Sequence, residues 1–222
     1  MLRVEHISFS YRKKNVLRDV SFSAKDGDFV GIIGKNGCGK STLLSVLAGV
    51  NRPAGGEVLY QDAPLSGKGV KPSELVGYVP QLNPLLMELS VSDNLKLWRQ
   101  PTAQTAAADS NTLYEQMGLT GYLGTPVKKL SEGMKKRVSI ASVLQNAPKI
   151  LILDEPSAAL DLPCKEIIHR ELLSFAAKGG IVIFTTHEDA EFSLCTTLYI
   201  LKEGILVPAE ATQDKHKLIQ QF

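Results

Sequence analysis

The feature that most constrains this chain is the glycine-rich octapeptide Gly34-Lys-Asn-Gly-Cys-Gly-Lys-Ser41, which fits the pattern G-x-x-x-x-G-K-[ST]. It follows a continuous apolar run, Phe29–Ile33, and precedes a helical segment predicted to run from about Ser41 to Ala48 and to end at Gly49. In this strand–loop–helix order the pattern forms a phosphate-binding loop. A chance glycine-rich turn is the alternative, and the flanking segments disfavour it.

The loop predicts a nucleotide site with defined chemistry. Its glycines let successive backbone N–H groups point inward at a triphosphate, and the following helix adds the positive end of its dipole. Lys40 would bring a cation to the β- and γ-phosphates, and the Ser41 hydroxyl would complete a Mg²⁺ shell. We expect Cys38 to be a small residue that fits the loop rather than a redox switch. The residues predicted to contact nucleotide here are Gly34, Asn36, Gly37, Cys38, Gly39, Lys40, Ser41 and Thr42.

Two adjacent carboxylates, Asp154 and Glu155, follow the apolar run Ile150–Leu153. The carboxyl end of a buried strand is the ligand-binding edge of an open α/β sheet. One carboxylate could hold Mg²⁺, directly or through water, and the other could polarise an attacking water. Acidic pairs after strands are common, so the phosphate-binding loop is what makes a catalytic role the favoured interpretation.

Periodicity predicts an α/β domain with a helical insertion. Alternating apolar residues in the first 24 positions indicate half-buried strands, and short apolar runs such as Ile181–Thr185 indicate buried parallel strands. From about Leu82 to Ala147 the pattern is helical, and Ser90-Val-Ser-Asp93 has the form of a helix start. We therefore predict one domain over 1–222, with a core of 1–81 and 148–222 and a helical subdomain of 82–147. The low-complexity stretch 101–110 is predicted to link two short helices.

Composition excludes several classes of protein. The chain has 222 residues, with 25 Lys+Arg against 23 Asp+Glu, and this net charge of +2 disfavours a dedicated nucleic-acid binder. Three widely spaced cysteines form neither a disulfide framework nor a zinc pattern, and they suggest a reducing compartment. No apolar run approaches the roughly 20 residues that a membrane-spanning helix requires. A soluble, cytoplasmic protein is expected.

From Leu2 to about Val207 the chain resembles the ATP-binding-cassette ATPases, and the family's motifs occur in the family's order. Besides the phosphate-binding loop and the acidic pair, the resemblance is carried by Tyr11, by Gln81 in Tyr78-Val-Pro-Gln, by Leu130-Ser-Glu-Gly-Met, and by His187 in Thr185-Thr-His-Glu. It implies a P-loop ATPase core with a mainly parallel sheet. An N-terminal antiparallel β subdomain and an inserted α-helical subdomain complete the implied fold.

The resemblance also implies roles for these residues. Tyr11 would stack on adenine, although a core or edge aromatic is the alternative. Gln81 would approach Mg²⁺ and the attacking water, and His187 would reach the γ-phosphate. The implied catalytic residues are Glu155, His187, Lys40 and Gln81, and the implied metal-site residues are Ser41, Gln81 and Asp154.

A further implied site faces a second subunit. Ser131 is a good N-cap for a helix through about Leu144, so its hydroxyl and free N–H groups form an anion site. In the family this site faces ATP held by another cassette, and the resemblance assigns Ser131, Gly133 and Asp161 to that contact. The lysines and arginine between 128 and 137 add positive potential there, or they form a solvated helix face.

Three positions depart from the family pattern. Glu132 replaces a glycine and could repel a γ-phosphate, and Met134 replaces a glutamine. Ser157-Ala-Ala-Leu-Asp161 lacks the serine and glycine common before Leu-Asp, so Ala158 and its neighbour put communication across the interface in question. Because Lys40 and the acidic pair are present, the subunit is expected to be catalytically competent, paired with itself or with a different cassette.

The expected function is that of a nucleotide-binding subunit that uses ATP and Mg²⁺ to power a membrane transporter through ATP-driven dimerisation. Its partners would be an integral-membrane permease and a second cassette, with no nucleic acid, on the cytoplasmic face of the cell membrane. The permease would bind near Gln81 to Leu97, where Leu85-Leu-Met87 is an apolar contact or a buried turn. Similarity of Gly133-Met-Lys-Lys-Arg137 to exporter cassettes favours export. A soluble cassette acting on ribosomes or DNA, and a P-loop kinase or GTPase, are the alternatives.

Overall fold

A computed structural model describes residues 1–12, 14–65, 72–101 and 110–209. The strands are β1 (Leu2–Tyr11), β2 (Lys14–Ala24), β3 (Phe29–Ile33), β4 (Gly55–Tyr60), β5 (Ala63–Pro64), β6 (Val76–Val79), β7 (Ile150–Asp154), β8 (Ile181–Thr185), β9 (Thr197–Lys202) and β10 (Ile205–Pro208). The α-helices are α1 (Lys40–Leu47), α2 (Pro72–Leu75), α3 (Val91–Trp98), α4 (Ser110–Gln116), α5 (Glu132–Leu144), α6 (Leu162–Ala177) and α7 (Asp189–Phe192). The predicted linker over 101–110 lies mostly outside the described residues.

The first sheet is antiparallel, with the spatial order β2-β1-β4-β5. Alternate residues over Val20–Ala24 of β2 are buried, as the period-two pattern predicts. In β1 the alternation fades, since Ile7 is buried and pairs with Val20 but Phe9 is half-buried and Tyr11 is exposed. The register slips at irregularities between Val4 and Ile7 and again on either side of Phe9. Strand β1 ends at Tyr11, the residue predicted to stack on adenine.

The second sheet has six strands in the order β10-β9-β3-β8-β7-β6. Strands β6, β7, β8, β3 and β9 pair in parallel, whereas β10 returns antiparallel to β9. Every residue of β3, β7 and β8 is buried, because helices cover both faces of the sheet. The parallel direction brings the loop after β3 and the carboxylates after β7 to the same edge of the sheet.

The helical segments of 82–147 contribute to a buried hydrophobic cluster that includes Leu95, Val127 and Ile140. Ser90 caps α3 by accepting a hydrogen bond from the Asp93 N–H, and Ser131 caps α5 by accepting one from the Met134 N–H. Both helix starts agree with the sequence prediction. The helix after the glycine-rich loop differs from its predicted bounds by one residue at each end, since α1 runs from Lys40 to Leu47.

Candidate functional site

The phosphate-binding loop connects β3 to α1 through tight backbone turns. Gly37 has φ 77° and Gly39 has φ 114°, in the left-handed region that favours glycine. A Cβ at Gly34 would lie 2.4 Å from the Leu201 carbonyl oxygen, so only glycine lets the loop pass this close to β9. The same built atom would lie 2.9 Å from the Cys38 Sγ, which fits Cys38 as a small packing residue.

The Lys40 side chain lies along this loop. Its Nζ donates hydrogen bonds to the carbonyl oxygens of Gly34 at 2.8 Å and Lys35 at 3.3 Å, and the residue is only 7% exposed. A buried ammonium needs such acceptors, because its charge is otherwise far from water. The lysine is therefore held at the loop, where it can exchange a carbonyl for a phosphate oxygen.

A cavity of about 560 Å³ opens in front of the loop. It brings together residues from five separate parts of the chain: Tyr11, Lys14, Val16, Asn36, Gly37, Gly39, Lys40, Ser41, Thr42, Gln81, Glu155 and His187. Ten of these twelve are predicted from sequence, whereas Lys14 and Val16, on β2, are not. Their strand flanks the loop only in the folded chain, and no sequence signal marks them.

The Glu155 carboxylate lies between two other predicted residues at the cavity wall. Gln81 Nε2 donates a hydrogen bond to its Oε2 at 3.0 Å, and His187 Nε2 lies 3.3 Å from its Oε1. Glu155 has φ 48°, an uncommon conformation for a residue with a side chain, and such strain occurs often at functional sites. The three side chains form one cluster beside the phosphate-binding loop.

Asp154 lies just behind this cluster and is almost fully buried. Its Oδ1 accepts a 2.6 Å hydrogen bond from the Thr185 hydroxyl, whose oxygen also accepts the Glu155 backbone N–H at 3.0 Å. Burial, with added repulsion from Asp154 and Tyr11, raises the pKa of nearby Tyr78 to about 12, so this phenol stays neutral. Sequence reasoning missed Thr185. Its only signal is a hydroxyl at the end of the apolar run Ile181–Thr185.

Oxygen donors suited to magnesium lie close to the loop. Among the residues that the structure describes, no cluster of three or more His, Cys, Asp or Glu side chains could hold a metal. The hydroxyl of Ser41 and the carboxylate of Asp154 are hard oxygen ligands of the kind Mg²⁺ takes alongside phosphates, and Gln81 supplies an amide. The donor set fits an ion that a nucleotide helps to bind.

Tyr11 stands at the mouth of the cavity and is half exposed. Its ring packs edge-on against Phe9, with ring centroids 4.9 Å apart, and its hydroxyl accepts a 3.3 Å hydrogen bond from Asn51 Nδ2. Asn51 also donates to the Ser45 hydroxyl at 2.8 Å, which ties the tyrosine to α1. The ring thus presents an aromatic face that is held in place from behind.

The residues predicted to face a second subunit, Ser131, Gly133 and Asp161, do not line this cavity. Ser131 and Glu132 are exposed at the start of α5, and Glu132 pairs with Lys135 at 2.7 Å. Gly133 is buried, and a Cβ there would lie 2.5 Å from the Cys164 Sγ, so close packing against α6 by itself requires glycine. Asp161 caps α6 by accepting the Cys164 N–H at 3.0 Å. The Cys164 thiol, followed by that backbone N–H, lowers the pKa of Asp161 through hydrogen bonds to its carboxylate.

The basic run at the start of α5 is largely engaged within the chain. Lys136 is buried, and its Nζ donates to the carbonyl oxygens of Pro80 at 3.3 Å and Gln81 at 3.1 Å. Burial lowers the pKa of Lys136, and attraction to Asp154 and other carboxylates opposes that effect. Lys136 thus joins α5 to the segment that carries Gln81. This lysine is therefore not part of a solvated helix face.

Comparison with known proteins places this geometry in a family. Residues 17–158, more than half of the chain, match the family model described as ABC transporter. The chain is 31% identical over 219 residues to the linearmycin resistance ATP-binding protein LnrL of Bacillus subtilis, covering 96% of this chain and 70% of that protein. It is 35% identical to Nod factor export ATP-binding protein I of Burkholderia orbicola, covering 87% of this chain and 65% of the relative. The chain thus spans about two thirds of these relatives' length.

A solved structure agrees with these matches. The cbiO1 protein of Clostridium perfringens, described as part of the ABC transporter complex cbiONQ, superposes with a TM-score of 0.79 at 32% identity, over 93% of this chain and 86% of that chain. Within the described ranges, no helix is both long enough and apolar enough to cross a membrane. The family match, the shared fold and the loop with its acidic cluster lead to one conclusion: the chain belongs to the ABC transporter family and is an ATP-binding, ATP-hydrolysing cassette.

Proposed function

We propose that this chain is the nucleotide-binding subunit of a membrane transporter, and that two cassettes close on ATP and separate after hydrolysis. The observation that carries the proposal is the position of Glu155, held between Gln81 and His187 at the wall of the cavity that Lys40 enters. A carboxylate oriented by two partners beside a phosphate-binding loop is suited to position an attacking water.

In this mechanism the loop N–H groups and Lys40 bind the β- and γ-phosphates. Lys40 exchanges its hydrogen bonds with the Gly34 and Lys35 carbonyls for bonds to phosphate oxygens, which are stronger because both partners are charged. Glu155 accepts a hydrogen bond from the water and orients it in line with the γ-phosphate. His187, within reach of the same carboxylate, donates to the charge that develops on the phosphoryl oxygens.

Magnesium would be held by Ser41 and Asp154, with Gln81 nearby, together with oxygens of the nucleotide. When bound, the ion neutralises developing charge on the phosphate oxygens. Thr185 keeps the Asp154 carboxylate in one orientation by donating to its Oδ1. Tyr11 offers its half-exposed ring as a stacking surface for adenine.

A second cassette is part of the proposal because Ser131 and Gly133 do not line this chain's own cavity. The exposed N-cap of α5 offers N–H groups and a hydroxyl to an anion supplied from outside. We propose that this anion is the γ-phosphate of ATP bound by the other cassette, with Asp161 at the same interface. The Glu132 carboxylate, paired with Lys135, lies at that face and would weaken the contact.

The permease is proposed to bind an exposed apolar surface beside Gln81. Leu82 is 85% exposed, and Leu86, Met87 and Trp98 are between 40% and 49% exposed, whereas Leu85 is buried. Exposed apolar groups in one region mark protein interfaces. The relatives named for Nod factor export and linearmycin resistance support export as the direction. The chain would then lie on the cytoplasmic face of the membrane.

The decisive experiment replaces the proposed water-positioning carboxylate. Glu155→Gln should abolish steady-state ATP hydrolysis while ATP still binds, and it should trap an ATP-bound dimer visible by size-exclusion chromatography. Glu57→Gln, an exposed glutamate on β4, is the matched control and should hydrolyse ATP like the parent chain. Unchanged turnover in Glu155→Gln would sink the assignment.

The transport role has its own test. The chain should co-purify with a polytopic membrane protein, and Leu86→Asp should reduce that yield while ATP turnover of the isolated chain stays unchanged. Recovery with ribosomes or DNA instead would favour the soluble-cassette alternative.

A further inference from the structure

A buried polar cluster lies behind the cavity, around Glu191 of α7. Glu191 is 1% exposed, and its Oε1 accepts a 2.6 Å hydrogen bond from the Ser157 hydroxyl. The same oxygen lies 2.8 Å from Nε2 of His169. Neither Glu191 nor His169 lines the nucleotide cavity, so the cluster is separate from the groups that would touch ATP.

The three members of this cluster come from three different segments. Ser157 follows Glu155 by two residues, and Glu191 follows His187 by four. His169 belongs to α6, a 16-residue helix that packs against the core through buried residues such as Ile168. The Glu191 carboxylate therefore joins two segments to α6: the one that follows Glu155 and the one that follows His187.

A second, parallel contact joins the same helix to the same segment. Lys165 lies one turn before His169 on α6, and its Nζ is 2.8 Å from Oε2 of Glu188, the residue next to His187. The two pairs differ in their carboxylates, since the side chain of Glu188 in the outer pair is 37% exposed whereas that of Glu191 in the inner pair is 2% exposed. Screening by water makes the outer pair weak, so the inner cluster carries more of the connection.

Hydrogen bonds stabilise the negative charge of Glu191 in its buried position. Burial raises its pKa, but hydrogen bonds from His169, Ser157 and Thr186 more than compensate, and the pKa falls below its ordinary value. The carboxylate is therefore ionised at neutral pH and accepts strong, charge-assisted hydrogen bonds. Such bonds hold a geometry more firmly than bonds between neutral groups.

We infer that Glu191 is a positioning residue for ATP hydrolysis. By bonding Ser157 and His169 together, it fixes the segment after Glu155 and the segment carrying His187 against α6. That connection sets, from behind, the 3.3 Å separation between His187 and Glu155. A merely structural buried carboxylate would stabilise the fold without affecting this separation. The inference rests on the proposed roles of Glu155 and His187.

The test begins with the Ser157 hydroxyl, because it can be changed without moving the charge. In the full chain, Ser157→Ala should lower the kcat for ATP hydrolysis about tenfold, the loss expected from one charge-assisted bond, and leave the Kd of a fluorescent ATP analogue within about twofold. Ser157→Thr keeps the hydroxyl and should restore kcat. Ser157→Val has nearly the shape of threonine without the hydroxyl and should remain low.

Glu191→Gln supplies the second measurement. It keeps the shape of the side chain but removes the charge, and it should lower kcat with little change in nucleotide Kd. Combined with Ser157→Ala, it should add less than the product of the two single effects, because both remove the same connection. Glu171→Gln, another buried glutamate on α6, is the matched control and should leave kcat unchanged.

Several results would overturn the inference. The first is a normal kcat in Ser157→Ala. The second is an equal loss of kcat in Ser157→Thr and Ser157→Val, because altered packing would then be the cause. A parallel loss of kcat, nucleotide binding and melting temperature would assign Glu191 a purely structural role. If the β-branched variants do not fold, Ser157→Ala decides, because it adds no atoms. Failure of this inference can be distinguished from failure of the proposed function, because only in the second case would Glu155→Gln retain ATP turnover.

Discussion

The Thr185 hydroxyl donates a 2.6 Å hydrogen bond to Oδ1 of Asp154, linking the ends of two adjacent parallel strands. The same oxygen accepts the backbone N–H of Glu155 at 3.0 Å, so one side chain contacts both acidic residues. Thr185 is fully buried. The left-handed backbone of Glu155, with φ 48°, is thus supported by a hydrogen bond from a neighbouring strand.

Removing this hydroxyl tests its contribution. Thr185→Val keeps the volume but leaves the buried Asp154 carboxylate without its donor, so we expect the free energy of unfolding to fall by about 1–3 kcal/mol. ATP turnover should fall with it, because both carboxylates lose a fixed orientation. Chemical denaturation and an ATPase assay measure the two effects. Thr185→Ser keeps the hydroxyl and should retain most of the activity; equal losses in the two variants would contradict the prediction.

Gly133 provides a prediction about packing. Gly133→Ala places a methyl group 2.5 Å from the Cys164 Sγ, so α5 must shift away from α6. We expect a destabilisation of about 1–3 kcal/mol from this overpacking, measured by urea denaturation. Adding Cys164→Ala removes the sulfur and should recover part of that loss. Strict additivity of the two substitutions would show that the contact is not the cause.

A substitution of Lys136 is expected to lower ATP turnover without lowering stability. Lys136→Met keeps the length of the side chain but removes the donor to the Pro80 and Gln81 carbonyls. We expect little change in the free energy of unfolding, because a buried ammonium loses its hydration and the methionine packs well. Turnover should fall because Gln81, which bonds Glu155, is no longer fixed from α5. Lys136→Arg restores a donor and should perform better than the methionine variant in the ATPase assay.

Glu191 predicts a pH dependence of stability. Its pKa in the folded chain lies below the ordinary value of 4.5, so the ionised carboxylate stabilises the fold above that pH. The stabilisation is lost as the pH falls through the lowered pKa, because the folded state must then take up a proton. Urea denaturation of the parent chain and Glu191→Gln should therefore differ most at neutral pH and converge in acid. A difference that grows in acid would have the wrong sign.

Local signals predicted much of the fold and of the site. The strands Phe29–Ile33 and Ile181–Thr185 have the predicted bounds because continuous apolar runs of that length suit a sheet buried on both faces. Ser90 and Ser131 cap the predicted helices because a hydroxyl three residues before a free N–H satisfies it within one turn. The division into core and helical subdomain remains a prediction.

Contacts between distant residues could not be predicted in this way. Lys136 lies among basic residues that suggest a solvated face, yet it is buried against the carbonyls of Pro80 and Gln81. Ser157 and Glu191 are 34 positions apart, and nothing in their local sequence pairs them. Gly133, assigned to nucleotide contact by resemblance, has a packing reason for being glycine that only the approach of Cys164 reveals.

The sequence by itself determined the phosphate-binding loop, because its glycines and Lys40 act through backbone conformation and charge within eight consecutive residues. It also placed an acidic pair at the end of a buried strand. The tertiary structure decided that Gln81 and His187 flank Glu155, and that Thr185 and Glu191 support this arrangement from behind. Those relations depend on the order of parallel strands, which brings separate carboxyl ends together at one edge of the sheet.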